Sequence, residues 1–532
     1  IYIYIKMSKR ADLARMVGIS ASESQSQRVE TRLIEPRSFS QTQATFELPQ
    51  EGILSSDIAL QIQLTTDEVT ANDRMDLPLM AGILGCIDRA ELFFGTTLIS
   101  SVEELAHLMQ MKNCFVDQDV RDQTHNVYLG AFSGMKTVDG GDTGGTTNGF
   151  GQLALNSIDT VTQAGSLASQ GVLGLIQTGA QQVNKLQHFR TTASANTTPF
   201  FCIKLKEIFP VLSQIPLPLF ALKERVRIVF HFNGDLAGNR AIAVKTDAGS
   251  AALLPFRGKD GTAANAASPG NNILQASLKL STDLIYYEDI AGVPSPMLRI
   301  QEELEKGANL VMTDYVSVFN TLPAVTVPAG TKQQQTLSTL LGLDHQIVRN
   351  ILIATPPSPN FGANPTEPAN RILGNFLSKG SNDQTVIQVS INNENIFPSP
   401  LNTTAKLYNE LSQVHDQPLK VNRGLFSSNG QTSGTAAFPV IRQDAAFNLN
   451  QFTQGNPNDS LNFSLNYLGI NLAKNATQNY VGNGIQIGRQ PVIVTLTRDR
   501  VPTEESQLRV LYWAECERAM TIKSGNIFIS GQ

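Results

Sequence analysis

The segment KLKEIFPVLSQIPLPLFALKERVRIVFHFN, from Lys204 to Asn233, joins a proline-punctuated apolar run to an alternating one. Pro210, Pro216 and Pro218 cannot donate backbone hydrogen bonds, and each disfavours helical geometry at the preceding residue, so a regular helix is not expected here. The closing letters RVRIVFHF place an apolar side chain at every second position, which is the period of a strand with one buried face. The segment therefore predicts a rigid corner that leads into a half-buried β-strand.

Alternating or β-branched runs recur along the whole chain and read as further strands: ATFELP at 44, IALQIQLTT at 58, LQASLKLS at 274, QTVIQVSIN at 384, PVIVTLT at 491 and GNIFIS at 525. Helical patterns are few and short. The clearest follows Ser101, which with Glu104 offers a capping box ahead of Leu105, Leu108 and Met109 on one helix face. The predicted fold class is all-β, with short helices and long loop insertions.

A segment in the first half of the chain is similar to a segment in the second half, and we call this similarity the internal echo. AELFFGTTLISSVEELAHL from Ala90 aligns with NENIFPSPLNTTAKLYNEL from Asn393 at a constant offset of 303 residues (393 − 90), which pairs Phe94 with Phe397. Both copies read as strand, tight turn, hydroxyl cap and short amphipathic helix. This repeat predicts two similar β domains in succession.

The join between these domains is expected in EDIAGVPSPMLRIQEELEKG, residues 288–307, where prolines and a charge-rich stretch separate two strand-like segments. We therefore divide the chain into an N-terminal arm at 1–40, a first β domain at 41–295 and a second at 296–532. Long stretches rich in Gly, Pro, Asn and Thr interrupt both domains and are predicted to be surface loops at the ends of the β barrels: 136–152, 248–272, 355–370 and 426–437.

Composition and motifs give no sign of chemistry. Only 16% of the 532 residues are charged and the net charge is −5, which argues against a protein whose whole surface binds nucleic acid. Phosphate-binding loops, dinucleotide fingerprints, zinc-protease motifs and nucleophile elbows are missing from the sequence, and its histidines lack metal-ligand spacing. The acidic run holding Asp117, Asp119 and Asp122 reads as a solvated turn. We therefore predict no enzyme activity, no catalytic, cofactor-binding or metal-binding residue, no cofactor and no small-molecule substrate.

Three segments carry a resemblance to a known family. The stretch FFCIKLKEIFPVLSQIPLPLFALKERVRIVFHFN from Phe200 is similar to the proline-leucine corner and alternating strand of the double jelly-roll major capsid proteins. YWAECERAMTIKSGNIFIS from Tyr512 resembles the closing strands of their second roll, and SINNENIFPSP from Ser390 adds a third likeness. That lineage includes adenovirus hexons, tailless membrane-containing phages, virophages, polinton-like viruses and large DNA viruses. The aromatic-rich segment common in large viruses is absent, which favours virophage or polinton-like relatives.

The resemblance implies two consecutive eight-stranded jelly-roll β-sandwich domains and no catalytic role. It implies a major capsid protein that self-assembles as pseudo-hexagonal homotrimeric capsomers into an icosahedral shell around a double-stranded DNA genome. Its implied partners are neighbouring capsomers, penton proteins and minor capsid proteins, and its implied place is the virion, assembled inside the host cell. The alternative is a carbohydrate-binding or carbohydrate-active jelly-roll sandwich, which needs aromatic platforms or facing carboxylates; the chain has a single tryptophan, Trp513.

The first 40 residues differ from the rest in charge. They hold seven basic and four acidic side chains, a local excess of +3 in a chain of net charge −5. Leu13, Met16 and Val17 can share one face of a short helix, whereas SASESQSQ from Ser20 is too polar to pack alone. We interpret this segment as an arm that docks on a neighbouring capsomer, a minor protein, an internal membrane or the genome; a frayed terminus is the alternative.

Overall fold

A computed structural model describes most of the β framework of this chain. The residues that it describes are 27–66, 73–76, 82–113, 126–129, 188–191, 200–214, 217–232, 243–245, 254–255, 271–289, 291, 295–328, 331, 333–344, 346–355, 385–415, 426–428, 463–465, 468–473, 484–500 and 507–529.

Eight strands of the first half form two antiparallel sheets. They are β1 (Gln27–Ile34), β2 (Gln43–Glu47), β3 (Ala59–Ile62), β4 (Ile87–Phe94), β5 (Thr97–Glu103), β6 (Phe201–Lys204), β7 (Val226–Phe232) and β8 (Lys279–Tyr287). The strand order is β1-β8-β3-β6 in one sheet and β2-β7-β4-β5 in the other. The pairs 1 with 8, 2 with 7, 3 with 6 and 4 with 5 are those of one long hairpin wound into a sandwich, which is a jelly roll.

The second half repeats this arrangement with every label raised by eight. Its strands are β9 (Ala308–Leu322), β10 (Gln333–Leu341), β11 (Ile347–Ala354), β12 (Thr385–Ile391), β13 (Glu394–Asn395), β14 (Leu468–Asn471), β15 (Val492–Arg500) and β16 (Leu508–Lys523). Their orders are β9-β16-β11-β14 and β10-β15-β12-β13. The prediction of two consecutive eight-stranded jelly rolls is confirmed.

Helices and minor strands fill the corners between these sixteen strands. The longer helices are α1 (Leu105–Asn113), α2 (Pro296–Lys306) and α3 (Thr404–His415), and single turns are found at Gly82–Cys86, Asn126–Leu129, Leu205–Ile208, Pro210–Gln214, Leu219–Ala221 and Gln275–Ser277. Two- to four-residue strands occupy Ser38–Phe39, Ile53–Leu54, Leu64–Thr66, Asp73–Asp76, His188–Thr191, Ala243–Lys245, Leu254–Pro255, Asn271–Ile273, Phe426–Ser428, Phe463–Leu465, Ile485–Gln486 and Asn526–Ile529.

The core follows from the alternation in the sequence. Along β15 buried and half-buried residues alternate without a break, and along β7 Val226, Ile228, Phe230 and Phe232 are buried. Phe230 meets Phe46 of β2 edge to face, with ring centroids 6.0 Å apart and planes at 78°. Such pairs add to the area that they bury. The buried face of β7, in the segment quoted at the start, is therefore part of the hydrophobic core of the first roll.

The proline-rich corner between β6 and β7 differs from its prediction in one respect. Two single-turn helices, Leu205–Ile208 and Pro210–Gln214, lie where no regular helix was expected. Pro210 is tolerated because it stands at the first position of its helix, where its nitrogen needs no partner. After this, Leu217 pairs with Leu54 as an isolated bridge. The corner is therefore anchored to the first roll by backbone hydrogen bonds.

The predicted N-terminal arm at 1–40 includes, at its end, residues that pair with strands of the first roll. Residues 27–34 are strand β1, which pairs with β8 over its full length, and Ser38–Phe39 pairs with β2. Strand β1 was not predicted because its sequence is largely polar, and an edge strand half open to water needs few apolar residues. Residues 1–26 lie outside the described residues, so an arm there stays a prediction. The boundary at 295 and 296 falls at the start of α2, which buries Ile300 and Leu304.

The internal echo identified the right elements in the wrong register. The tight turn at 95–96 corresponds to the turn at 392–393, whereas the constant offset placed it six residues later. Leu108 and Leu411 do lie buried on corresponding helices. The capping box is wrong, because Ser101 lies in β5.

All predicted loops fall mainly outside the described residues, but the strand order fixes the end of the sandwich from which each one leaves. Because successive strands run antiparallel, every connector that follows an odd-numbered strand starts at the same end. The five longest connectors all follow odd-numbered strands: 63–86, 104–200, 233–278, 355–384 and 396–467. One end of each roll is thus the long-connector end, and the other is the short-connector end.

Replacement of Phe230 by Ala tests this core. Loss of a fully buried ring should lower the free energy of unfolding by about 3–5 kcal/mol, measured by chemical denaturation. The control is Leu340→Ala on β10, where the side chain is 61% exposed; its cost should stay within about 0.5 kcal/mol. Equal costs for both variants would contradict the assigned strand faces.

Candidate functional site

The two rolls pack against each other along a seam. We define the seam as β5 and residues 104–113 of the first roll together with β9 and β16 of the second. Buried side chains from both rolls belong to one continuous hydrophobic cluster across it. Because the cluster is shared, the rolls form one body.

A buried carboxylate lies at the middle of the seam. The hydroxyl of Ser100 on β5 donates to Oδ1 of Asp314 on β9 at 2.6 Å, and Arg518 of β16 binds Oδ2 at 3.0 Å. Burial raises the pKa of Asp314, and the guanidinium of Arg518 and the Ser100 hydroxyl offset only part of that rise. Ser100 thus supplies the first roll's hydrogen bond to an ion pair of the second.

Trp513 lies buried in the seam, near its long-connector end. Its side chain is 0% exposed and its Nε1–H donates to the backbone carbonyl of Glu103 at 3.0 Å. The next residue, Glu104, forms an ion pair with Arg509, and Nδ1 of His107 lies 3.0 Å from the Glu104 carboxylate. Trp513 points out of the second roll's sandwich toward the first roll, which contributes to its burial.

Further along the seam, Lys112 of α1 reaches the second roll. Its Nζ lies 4.6 Å from the centre of the Tyr315 ring, a cation–π contact. Burial lowers the pKa of Lys112, against the attraction of the carboxylates of Glu515 and Glu207. Burial also raises the pKa of Tyr315 well above its usual value. Charged groups here are therefore held between the rolls rather than offered to a ligand.

The opposite end of the seam fixes the relative orientation of the rolls. Lys223, in the corner before β7, donates its backbone N–H to the carbonyl of Gly525 at 2.9 Å, just after β16. Gly525 has a φ of +74°, and a Cβ there would meet the carbonyl of Ala221 at 2.8 Å, so only glycine suits the turn. This contact joins two short-connector ends, whereas Glu104 and Arg509 join two long-connector ends. The rolls therefore stand side by side with like ends together.

The structure brings no catalytic constellation together in the parts of the chain that it describes. No group of three or more His, Cys, Asp and Glu residues there could hold a metal ion. Cys86 and Cys516 are free and buried, and burial raises the pKa of each thiol to about 12. The acidic run at 117–122 lies outside the described residues. Among the helices that the structure describes, none has the length and apolar character to cross a membrane.

A comparison with solved structures agrees with this geometry, whereas two comparisons by sequence found no match. No protein-family model matches the sequence, and no curated protein matches it. A chain of the PBCV-1 virus capsid is 11% identical with a TM-score of 0.52, over 95% of this chain and 97% of that one. A chain of the Sputnik virophage is 14% identical with a TM-score of 0.53, over 94% of this chain and 88% of that one.

The chain has the double jelly-roll fold. At these identities the likeness concerns the fold, and it extends over both rolls. The resemblance read from the sequence is thereby confirmed at the level of architecture. The seam of the double jelly roll was not predicted, because its contacts join residues some two hundred to four hundred positions apart. The one sequence feature that could have indicated the seam was the single tryptophan, Trp513, in a strand of otherwise ordinary composition.

Substitutions at Trp513 test the seam. Trp513→Ala should lower the free energy of unfolding by about 3–5 kcal/mol and let the two rolls unfold in separate steps, since the ring holds them together. Trp513→Phe keeps an aromatic side chain but removes the indole donor and part of the ring volume, so it should cost more than about 1 kcal/mol and less than Trp513→Ala. Calorimetry of both variants measures the two costs. A single unchanged transition in Trp513→Ala would show that the seam does not couple the rolls.

Proposed function

We propose that this protein is a major capsid protein that forms homotrimeric capsomers of pseudo-hexagonal outline. The observation that carries the proposal is the pair of jelly rolls with identical strand order, packed side by side with like ends together. Such a unit presents two similar wedges, so three copies supply six. Closing the ring buries strand edges that a single chain leaves exposed.

The two ends of the double jelly roll suit the two faces of a shell. The five longest connectors leave from one end, and their polar Gly- and Pro-rich sequences suit a surface that faces water. At the short-connector end, the described residues include the corner that joins Lys223 to Gly525. We assign the long connectors to the outer face, as a tower, and the short connectors to the inner face of an icosahedral shell around a double-stranded DNA genome.

The N-terminal segment then belongs to the inner face. Strand β1 starts at the short-connector end, so residues 1–26 depart from there. Their basic excess suits an anionic surface, either an internal membrane or the genome, and the alternating letters IYIYI suit addition to a neighbour's strand edge. The other proposed partners are neighbouring capsomers, penton proteins and minor capsid proteins, and the proposed location is the virion.

The structure weakens the carbohydrate alternative at one point. A sugar platform needs exposed aromatic rings, and the single tryptophan is buried in the seam between the rolls. Phe200 and Phe528 are exposed, so polysaccharide binding is included in the test below.

The first test of the capsomer is its mass. Multi-angle light scattering of the purified protein at micromolar concentration should give three times the 57.7 kDa chain mass, and negative-stain images should show particles of hexagonal outline. A monomer or dimer across this concentration range would contradict the proposal. Specific polysaccharide binding by such a monomer would favour the carbohydrate alternative.

Removal of residues 1–26 tests the arm. Because β1 remains intact, the truncated chain should form trimers of unchanged thermal stability, yet assemble into shells less efficiently than the full-length protein. Size-exclusion chromatography and electron microscopy measure the two steps separately. The matched control replaces the basic residues of this segment, Lys6, Lys9, Arg10 and Arg15, by Gln. Full shell assembly by the truncated chain would show that the segment is only a loose end.

A further inference from the structure

The same sheet face has different surroundings in the two rolls. Equivalent positions follow from the strand pairing, because one row of paired residues crosses each sheet and ends at the last residue of the edge strand β6 or β14. The two rows are Leu33, Ser281, Ala59 and Lys204 in the first roll, and Tyr315, Glu515, Asn350 and Asn471 in the second. Leu33 of β1 is therefore the counterpart of Tyr315 of β9.

These counterparts differ in exposure. Tyr315 is 6% exposed, because α1 of the first roll covers it, whereas Leu33 is 57% exposed. Val29, two pairs further along the same strand face, is 54% exposed, and its cross-strand partner Ile285 is half-buried. We call this the β1 face: Val29, Thr31 and Leu33 with Ser281, Asp283 and Ile285. It combines the exposed apolar side chains of Val29 and Leu33 with the hydrogen-bonded pair of Thr31 and Asp283, at the place where the second roll has its covered seam.

The element that covers the second roll also has a counterpart. In the first roll Val102 lies opposite Ala90, and the next two residues, Glu103 and Glu104, contact the second roll before α1 begins. In the second roll Leu401 lies opposite Ile387 in the same way, and α3 begins three residues later, just as α1 does after Val102.

This counterpart has no roll of its own chain to cover. The residues before α3, Asn402 and Thr403, are exposed, as are Pro398, Ser399 and Pro400. Residues 396–405 of this segment carry no charged side chain, whereas the flanking residues Glu394 and Lys406 are exposed and charged. One chain therefore contains an open face and an open covering element that cannot meet each other within that chain.

We propose that the β1 face of one copy receives residues 394–415 of a second copy, in the way that the second roll receives residues 97–113 within the chain. The inference rests on the proposed capsomer and names its contact. The contact is heterologous, so it does not close a dimer, and in a ring of six similar rolls it repeats three times. The occupant is a second copy because the covering element that fits by internal repetition belongs to this chain.

The two kinds of contact differ in chemistry. Within the chain the rolls are joined by the ion pair of Glu104 with Arg509 and by the hydrogen bond from Ser100 to Asp314, whose carboxylate also binds Arg518. The β1 face exposes Val29 and Leu33, and residues 396–405 of the segment that it receives carry no charged side chain, so the contact between copies depends mainly on apolar burial. A carboxylate placed at Leu33 would be buried there without a partner and would oppose association.

Photo-crosslinking in the full-length protein tests this contact. A benzophenone amino acid replaces Leu33 in one chain population, which is mixed and refolded with an isotope-labelled population, so that mass spectrometry separates crosslinks between copies from those within a copy. Crosslinks from position 33 should reach residues 394–415 of the other copy. The matched control places the same amino acid at Leu340, which is equally exposed on a different sheet and should not reach that segment.

A second measurement compares Leu33→Glu with Leu340→Glu. Leu33→Glu should lose the trimer at micromolar concentration with an unchanged unfolding midpoint of the chain, and Leu340→Glu should keep it. Crosslinks from position 33 to another region of a second copy, or a trimer without such crosslinks, would overturn the contact while the capsomer proposal stands. A wild-type protein that is monomeric would overturn both.

Discussion

Burial of the outer face of the β9–β16 sheet by the first roll is the contact on which the whole molecule depends. A jelly roll closes its core between two sheets and leaves the outer faces to solvent, so two rolls joined by a linker need not touch. Here Trp513 and Tyr315 point outward from the second sandwich, where Trp513 contacts Glu103 of β5 and Tyr315 contacts Lys112 of α1. Their burial fixes the two rolls in one orientation, and the direction of both sets of connectors follows from it.

This orientation separates two kinds of work. The long-connector ends lie together, so variation in connector length leaves the sandwiches and the seam unaffected, since loop closure costs grow slowly with length. The short-connector ends are tied by backbone contacts such as Lys223 with Gly525 and Ser524 with Leu304. One side of the molecule can thus vary while the other is constrained by close packing. Such a division is consistent with the proposed shell subunit, which has an outer and an inner surface.

Much of the framework was predictable because strand periodicity is a local signal. The run at Val226–Phe232 and the run at Val492–Arg500 alternate so regularly that their buried faces could be read directly. Strand β1 was missed because an edge strand exposes most of its side chains. Ser101 was misread as a helix cap because hairpin pairing with Glu91, which single-segment reasoning does not include, places it in a strand. The seam was beyond reach, since Ser100 and Asp314 become neighbours only after both rolls have folded.

A cryo-electron microscopy reconstruction of the purified, assembled protein tests the central claim most directly. The account predicts a ring of six similar barrels from three chains, in which seams within chains alternate with contacts between chains. Residues 394–415 should lie on the β1 face of the neighbouring copy, and all long connectors should be on one side of the ring. A particle in which the two rolls of one chain are separated, or in which copies meet through other faces, would contradict it.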